Sequence, residues 1–136
     1  MKKSVIIPVF NEEGNIGELI KKTKLVLNPD DELILVDDGS SDNTAKEIRE
    51  NNCILISLEK NMGKGYAMRM GIERANGDYI IFMGGDGQDD PVEIDLLLQE
   101  VKNGFDYVIG SRFLNFDSSD NRFSDKAVLP VNEFGN

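Results

Sequence analysis

Apolar residues in this chain come in short unbroken runs separated by amphipathic stretches. Ser4 to Phe10 is such a run, rich in β-branched side chains, and predicts a strand buried on both faces. Ile16, Leu19, Ile20, Thr23, Val26 and Leu27 then recur at helical spacing while Glu18, Lys21, Lys22 and Lys24 fall off that face, so a helix follows and ends at Asn28-Pro29-Asp30. Glu32 to Val36 repeats the buried-strand pattern. The turn Asp37 to Asp42 leads into a helix carrying Ala45 and Ile48, and Cys53 to Leu58 reads as a third strand.

Asn61-Met62-Gly63-Lys64-Gly65 forms the next turn, before a helix with Ala67, Met70, Gly71 and Arg74 to Ala75 in period and Asn76-Gly77 as its stop. Tyr79 to Met83 is a fourth strand, Gly84 to Pro91 an acidic, glycine-rich loop, and Ile94, Leu97, Leu98 and Val101 mark another helix before a fifth strand at Phe105 to Ile109. Past Phe113 the pattern decays. Asn115 to Asp125 reads as a mobile loop, and Lys126 to Asn136 as scattered apolar residues whose Pro130 opens or breaks a short helix. Strand–helix alternation with continuous apolar strands predicts an α/β fold with a mostly parallel sheet between helices, and ligands in such sheets collect beyond the carboxyl ends of the strands. Four loops share that rim: Asn11 to Asn15, Asp37 to Asp42, Gly84 to Asp90 and Ser111 to Phe113.

Composition narrows the chemistry. With 136 residues one domain is expected, with the core over residues 1–113 and a trailing segment over 114–136. No apolar run is long enough to span a bilayer, and the start lacks a signal-peptide pattern, so the expected location is cytoplasmic. Zero His excludes His-based triads and the usual zinc sites, and a net charge of −10 argues against a nucleic-acid partner. The lone Cys53, inside an apolar run, reads as a core thiol.

Any metal must therefore be bound by oxygen. Asp37, Asp38 and Asp86, with Gln88, Asp89 and Asp90 behind, put two acidic loops over one sheet edge, where they repel unless a cation or donors lie between. That ligand set suits Mg2+ or Mn2+; helix capping is the other use for such residues, above all for Asp42 and Asp90. Gly84, Gly85 and Gly87 allow a bulky ligand close to the backbone, and Gly63-Lys64-Gly65 at a helix start suits a phosphate. Arg112 is a candidate anion fork for a diphosphate, or else a surface ion pair. An EF-hand, a P-loop and a dinucleotide-binding glycine pattern are absent.

Five strings in order, Ile7-Pro8-Val9-Phe10-Asn11-Glu12-Glu13, Leu35-Val36-Asp37-Asp38-Gly39-Ser40-Ser41-Asp42, Asn61-Met62-Gly63-Lys64-Gly65, Asp86-Gly87-Gln88 followed by Pro91, and Ile109-Gly110-Ser111-Arg112-Phe113, resemble the family 2 glycosyltransferases. Among them the dolichol- or polyprenyl-phosphate sugar synthases, such as the dolichol-phosphate mannose synthases, are most similar. The resemblance implies a GT-A fold, a GDP- or UDP-sugar donor, a divalent metal and an inverting transfer to a polyprenyl phosphate. The alternative is a non-catalytic nucleotide-sugar-binding module.

By the same resemblance Pro8, Val9, Phe10, Glu12, Asp37, Asp38, Gly63, Lys64, Gly85 and Asp86 bind the nucleotide. Asp86 and Gln88 hold the metal, and Asp86 and Arg112 are the catalytic pair. Gly84 stands where the family usually has the first Asp of an Asp-x-Asp, which leaves Asp89 or Asp90 to replace it. Phe134-Gly135-Asn136 is similar to the point where these synthases enter membrane or interfacial helices. The expected picture is a C-terminally shortened member at the cytoplasmic face of the membrane, completed by a membrane segment, a membrane protein or a homodimer.

Overall fold

The structure is a computed structural model and describes residues 2–104, 108–109 and 127–130. Four parallel strands, β1 (Lys3–Val9), β2 (Glu32–Asp37), β3 (Ile54–Ser57) and β4 (Tyr79–Phe82), form the body of a sheet. Helices α1 (Ile16–Val26), α2 (Thr44–Glu50) and α3 (Lys64–Arg74) connect them in turn. A 3₁₀ turn (Pro91–Glu93) and α4 (Ile94–Lys102) follow β4, then β5 (Val108–Ile109) and β6 (Ala127–Pro130). The sheet order is β3-β2-β1-β4-β6-β5, so the direction of strand addition reverses between β1 and β4.

Both faces of the sheet are dry, as the unbroken apolar runs require. Val5, Ile7, Leu33, Leu35 and Ile81 pack under α1, α2 and α4, meeting Leu19, Ile20, Ile48, Ile94 and Leu97. The alternate residues Ile6, Ile34, Val36, Ile80 and Phe82 face α3 and meet Ala67. Cys53 is half-buried against the first of these layers and donates to the Ile48 carbonyl at 3.7 Å; burial raises its thiol pKa, which keeps it protonated.

One expectation is corrected. Ala127–Pro130 is not a short helix around Pro130 but a strand, antiparallel to both β4 and β5, with Phe82 opposite Ala127 and Tyr79 opposite Pro130. A strand end tolerates proline because little of the ladder is lost there, and β4 would otherwise present an open edge. The expected strand at 105–109 is described only at 108–109. The expected loop at 115–125, and Arg112, lie outside the described residues.

The rim opposite the loops of interest is held by charge. Lys3 Nζ lies 3.1 Å from Asp31 Oδ2, with both side chains almost wholly buried, and the Asp31 carboxylate also accepts from the Lys3 and Asn28 N–H groups at 2.8 Å. Glu32 accepts from Ser4 Oγ and the Asn76 N–H, both at 2.7 Å, tying β2 to β1 and to the chain after α3. Burial alone would raise both carboxyls, but these hydrogen bonds and the neighbouring lysines outweigh it and hold them below their ordinary values. Their stabilisation is therefore complete above about pH 5 and is lost as the pH falls from the unfolded values near 4 through the depressed folded ones. A Tm–pH profile should fall steeply in that acid window, and less steeply for Asp31→Asn. Lys3→Met should cost about 3 kcal/mol in urea unfolding, the low end for one broken buried pair because two N–H groups still serve Asp31.

Candidate active site

Loops at the carboxyl ends of β1, β2, β3 and β4 line a cavity of about 350 Å3 at the point where the strand order reverses. Pro8, Val9, Phe10 and Glu12 contribute from β1 and its loop, Asp38 from β2, Asn61, Gly63 and Lys64 from the approach to α3, and Gly84, Gly85 and Asp86 from beyond β4. Nine of the eleven lining residues are thus nucleotide-site candidates; Asn61 and Gly84 are the additions.

Strand parity explains the arrangement. Ile6 offers its carbonyl to the Met83 N–H at 3.1 Å, toward β4, and Val9 offers its own to the Asp38 N–H at 2.9 Å, toward β2. Pro8 therefore faces β4, but past Phe82, the last paired residue, so its missing N–H breaks no ladder bond. At Gly85 the chain passes so close that a Cβ would lie 2.5 Å from Val9 Cγ1 and 3.0 Å from the Pro8 carbonyl oxygen. Only glycine fits there. Phe10 leaves 45% of its surface exposed at the cavity, an aromatic face available to a flat ring.

Parity also separates the two adjacent acids. Asp37 points to the α1 and α2 side, is 2% exposed, and accepts from the Ser40 N–H at 3.1 Å; it does not line the cavity. Asp38 points to the α3 side, where its two oxygens accept from the Met62 N–H at 2.7 Å and the Gly63 N–H at 3.0 Å. It pins the loop that carries Lys64, the one basic side chain among the described lining residues. Gly39, at φ +73°, makes this possible, since a Cβ there would lie 2.4 Å from the Lys60 backbone.

The first loop is wired to the second in the same way. Asn11, in the left-handed region at φ 51°, accepts from the Ser41 N–H at 2.8 Å and donates its own N–H to Ser40 Oγ at 2.9 Å. Asp42 accepts from the Thr44 hydroxyl and N–H and from the Glu13 N–H, which holds its carboxyl below the usual range. Glu47 accepts from the Gly14 and Gly17 N–H groups and so occupies the positive end of α1. Asp90 caps the 3₁₀ turn by accepting from the Val92 N–H at 3.0 Å. Thr44, whose hydroxyl accepts from the Glu12 N–H at 2.9 Å, and Glu47 escape a sequence reading, because each acts on a loop far away in the chain.

Asp86 is exposed, accepts from the Gln88 N–H at 3.0 Å, and borders a second cavity of about 660 Å3 between α1 and residues 86–92. Gln88 and Asp89 line that second cavity, not the first. Among the described residues no three acidic, Cys or His side chains converge as a ready-made cation site. The donor set still suits a hard cation, since Asp89 is 5% exposed and its Oδ1 is buried without a hydrogen-bond partner.

The profile described as Glycosyl transferase family 2 matches residues 4–135. The chain belongs to this family. An undecaprenyl-phosphate 4-deoxy-4-formamido-L-arabinose transferase of Proteus mirabilis is 41% identical over 127 residues, covering 87% of this chain and 39% of that protein. A protein of the same name from Pseudomonas fluorescens is 36% identical over 134 residues, 92% of this chain and 39% of that one. The chain thus spans about two fifths of the length of these family 2 relatives. Glucosyl-3-phosphoglycerate synthase of Mycobacterium tuberculosis, solved with Mn2+, UDP and glucosyl-3-phosphoglycerate, superposes with a TM-score of 0.77 at 20% identity over 96% of this chain and 57% of that one. The family 2 member described here has the GT-A fold, a mostly parallel sheet flanked by helices. No helix among the described residues is long and apolar enough to cross a membrane.

Removing the Asp38 carboxylate leaves two loop N–H groups without acceptors. Asp38→Ala should lose about 2 kcal/mol in urea unfolding, with faster hydrogen exchange at Met62 and Gly63. Gly85→Ala should cost about 1–3 kcal/mol through overpacking against Val9 and Pro8, read as a fall in Tm.

Proposed function

We propose that the chain is the donor-binding part of a glycosyltransferase that takes a nucleotide-diphosphate sugar with Mg2+ or Mn2+ and transfers the sugar, with inversion, to a polyprenyl phosphate. The carrying observation is the cavity at the strand-order reversal, where Phe10, Lys64, Gly85 and Asp86 meet. In this reading the base stacks on Phe10, Gly85 lets the ligand approach the backbone, and Lys64 at the start of α3 faces the diphosphate. Asp38 acts by fixing the Met62–Gly63 loop. Asp86 and Gln88 hold the cation, and Arg112 contacts the diphosphate as the second catalytic residue.

A cation held by Asp86 and Gln88 would supply charge neutralisation for the departing diphosphate. A phosphate oxygen of the acceptor attacks the anomeric carbon from the opposite face, and the carbon–oxygen bond to the diphosphate breaks. That acceptor is ionised near neutral pH, so a chain with no His needs no general base. The relatives are named undecaprenyl-phosphate sugar transferases, which supports the lipid-phosphate acceptor and action at a membrane surface, on this reading its cytoplasmic face.

Calorimetry with UDP, GDP and their sugars, each with and without Mn2+, tests the donor half. Asp86→Ala should abolish the metal-dependent part of the affinity while the metal-free part persists. The reading fails if no nucleoside diphosphate gives heat or raises Tm, with Mn2+ present or absent. Its catalytic part fails if donor binds but no sugar reaches a polyprenyl phosphate in membranes holding the whole protein.

A further inference from the structure

The loop after β4 lacks a side chain at the position where the family usually has an acid, and it buries an acid five residues later. Asp89 is 5% exposed. Its Oδ2 accepts from the Gly84 N–H at 2.8 Å, while its Oδ1 is buried with no hydrogen-bond partner. No lysine or arginine is paired with it among the described residues. A buried carboxylate with one oxygen unserved and no counter-charge is expensive unless something positive completes it.

The space left open by Gly84 lies against the other Asp89 oxygen, Oδ2, and against Asp86. A Cβ placed on residue 84 would lie 3.2 Å from Asp89 Oδ2 and 3.4 Å from Asp86 Oδ1, so the two carboxylates flank the place a side chain there would take. Asp86, Gln88 and Asp89 also line one cavity, and Asp86 borders the nucleotide cavity as well. The neighbouring Asp90 is committed elsewhere, to the cap of the 3₁₀ turn.

We infer that Asp89 supplies, with Asp86 and Gln88, the second carboxylate of a divalent-cation site, standing in for the acid that residue 84 lacks. The inference rests on the nucleotide-sugar reading of the adjoining cavity. Asp86, Asp89 and Gln88 would offer two carboxylates and one amide oxygen, a donor set that suits Mg2+ or Mn2+.

The test is titration of the 136-residue chain with Mn2+, alone and with saturating UDP, followed by the loss of the free-ion electron paramagnetic resonance signal. Asp89→Asn keeps an oxygen for the Gly84 N–H and removes only the charge. It should weaken Mn2+ binding by at least about tenfold, leave metal-free UDP affinity and metal-free Tm unchanged, and regain Mn2+ affinity when combined with Gly84→Asp. Unchanged Mn2+ affinity in Asp89→Asn, or a lowered metal-free Tm with Mn2+ affinity intact, assigns Asp89 a purely structural part and overturns the inference. Fe2+ with ascorbate and peroxide needs no variant: backbone cleavage of the unaltered chain within residues 84–90 supports the site, and cleavage elsewhere sinks it. If UDP binds without metal and no Mn2+ is taken up, this inference falls and the nucleotide reading stands. If Mn2+ binds through Asp89 but no nucleotide does, the reverse holds.

Discussion

Carboxylates accepting hydrogen bonds from the backbone of their own and neighbouring loops hold the working rim of this sheet together. In a parallel sheet the helix N-termini and loop N–H groups gather at one edge, and their unserved donors make that edge positive. Asp38 serves Met62 and Gly63, Asp42 serves Thr44 and Glu13, Glu47 serves Gly14 and Gly17, and Asp89 serves Gly84. Part of the acidity of the chain is thus architectural. It also limits where an anion can go: Glu47 takes N–H groups at the start of α1 and Asp38 takes those of Met62 and Gly63 before α3, which leaves the Lys64 side chain as the positive group bordering the cavity among the described residues.

The order of elements was legible because a sheet covered on both sides needs unbroken apolar runs, and Val5, Ile6 and Ile7 serve alternate layers as that requires. Part of the cavity was legible for a related reason, since Glu12, Asp38, Gly84, Gly85 and Asp86 lie in loops at strand ends whose positions the same runs define, whereas Pro8, Val9 and Phe10 were expected only from the family resemblance. β6 was not legible. Four residues ending in proline carry no periodicity, and what makes Ala127–Pro130 a strand is the edge of β4, far away in the chain.

Asp37 and Asp38 show a different limit. Side by side in the sequence they suggest one paired function, yet a strand sends neighbours to opposite faces, and the two end up serving Ser40 and the Met62–Gly63 loop. Of the next pair, Asp90 was legible as a cap while Asp89 was not. Only the fold shows that Asp89 is buried and accepts from the Gly84 N–H. Glu47 left no signal at all, because a glutamate on a short helix gives no hint that its target is the loop before α1.

The late arrival of β6 shapes how the molecule is made. β1 to β4 complete their parallel ladder from the first 82 residues, but the outer side of β4 finds its partner only when residue 127 and those after it have emerged. Throughout that interval a nascent chain on the ribosome presents an unmatched, sticky border, a template for pairing with other chains. Chaperone occupancy during translation should therefore concentrate on this stretch.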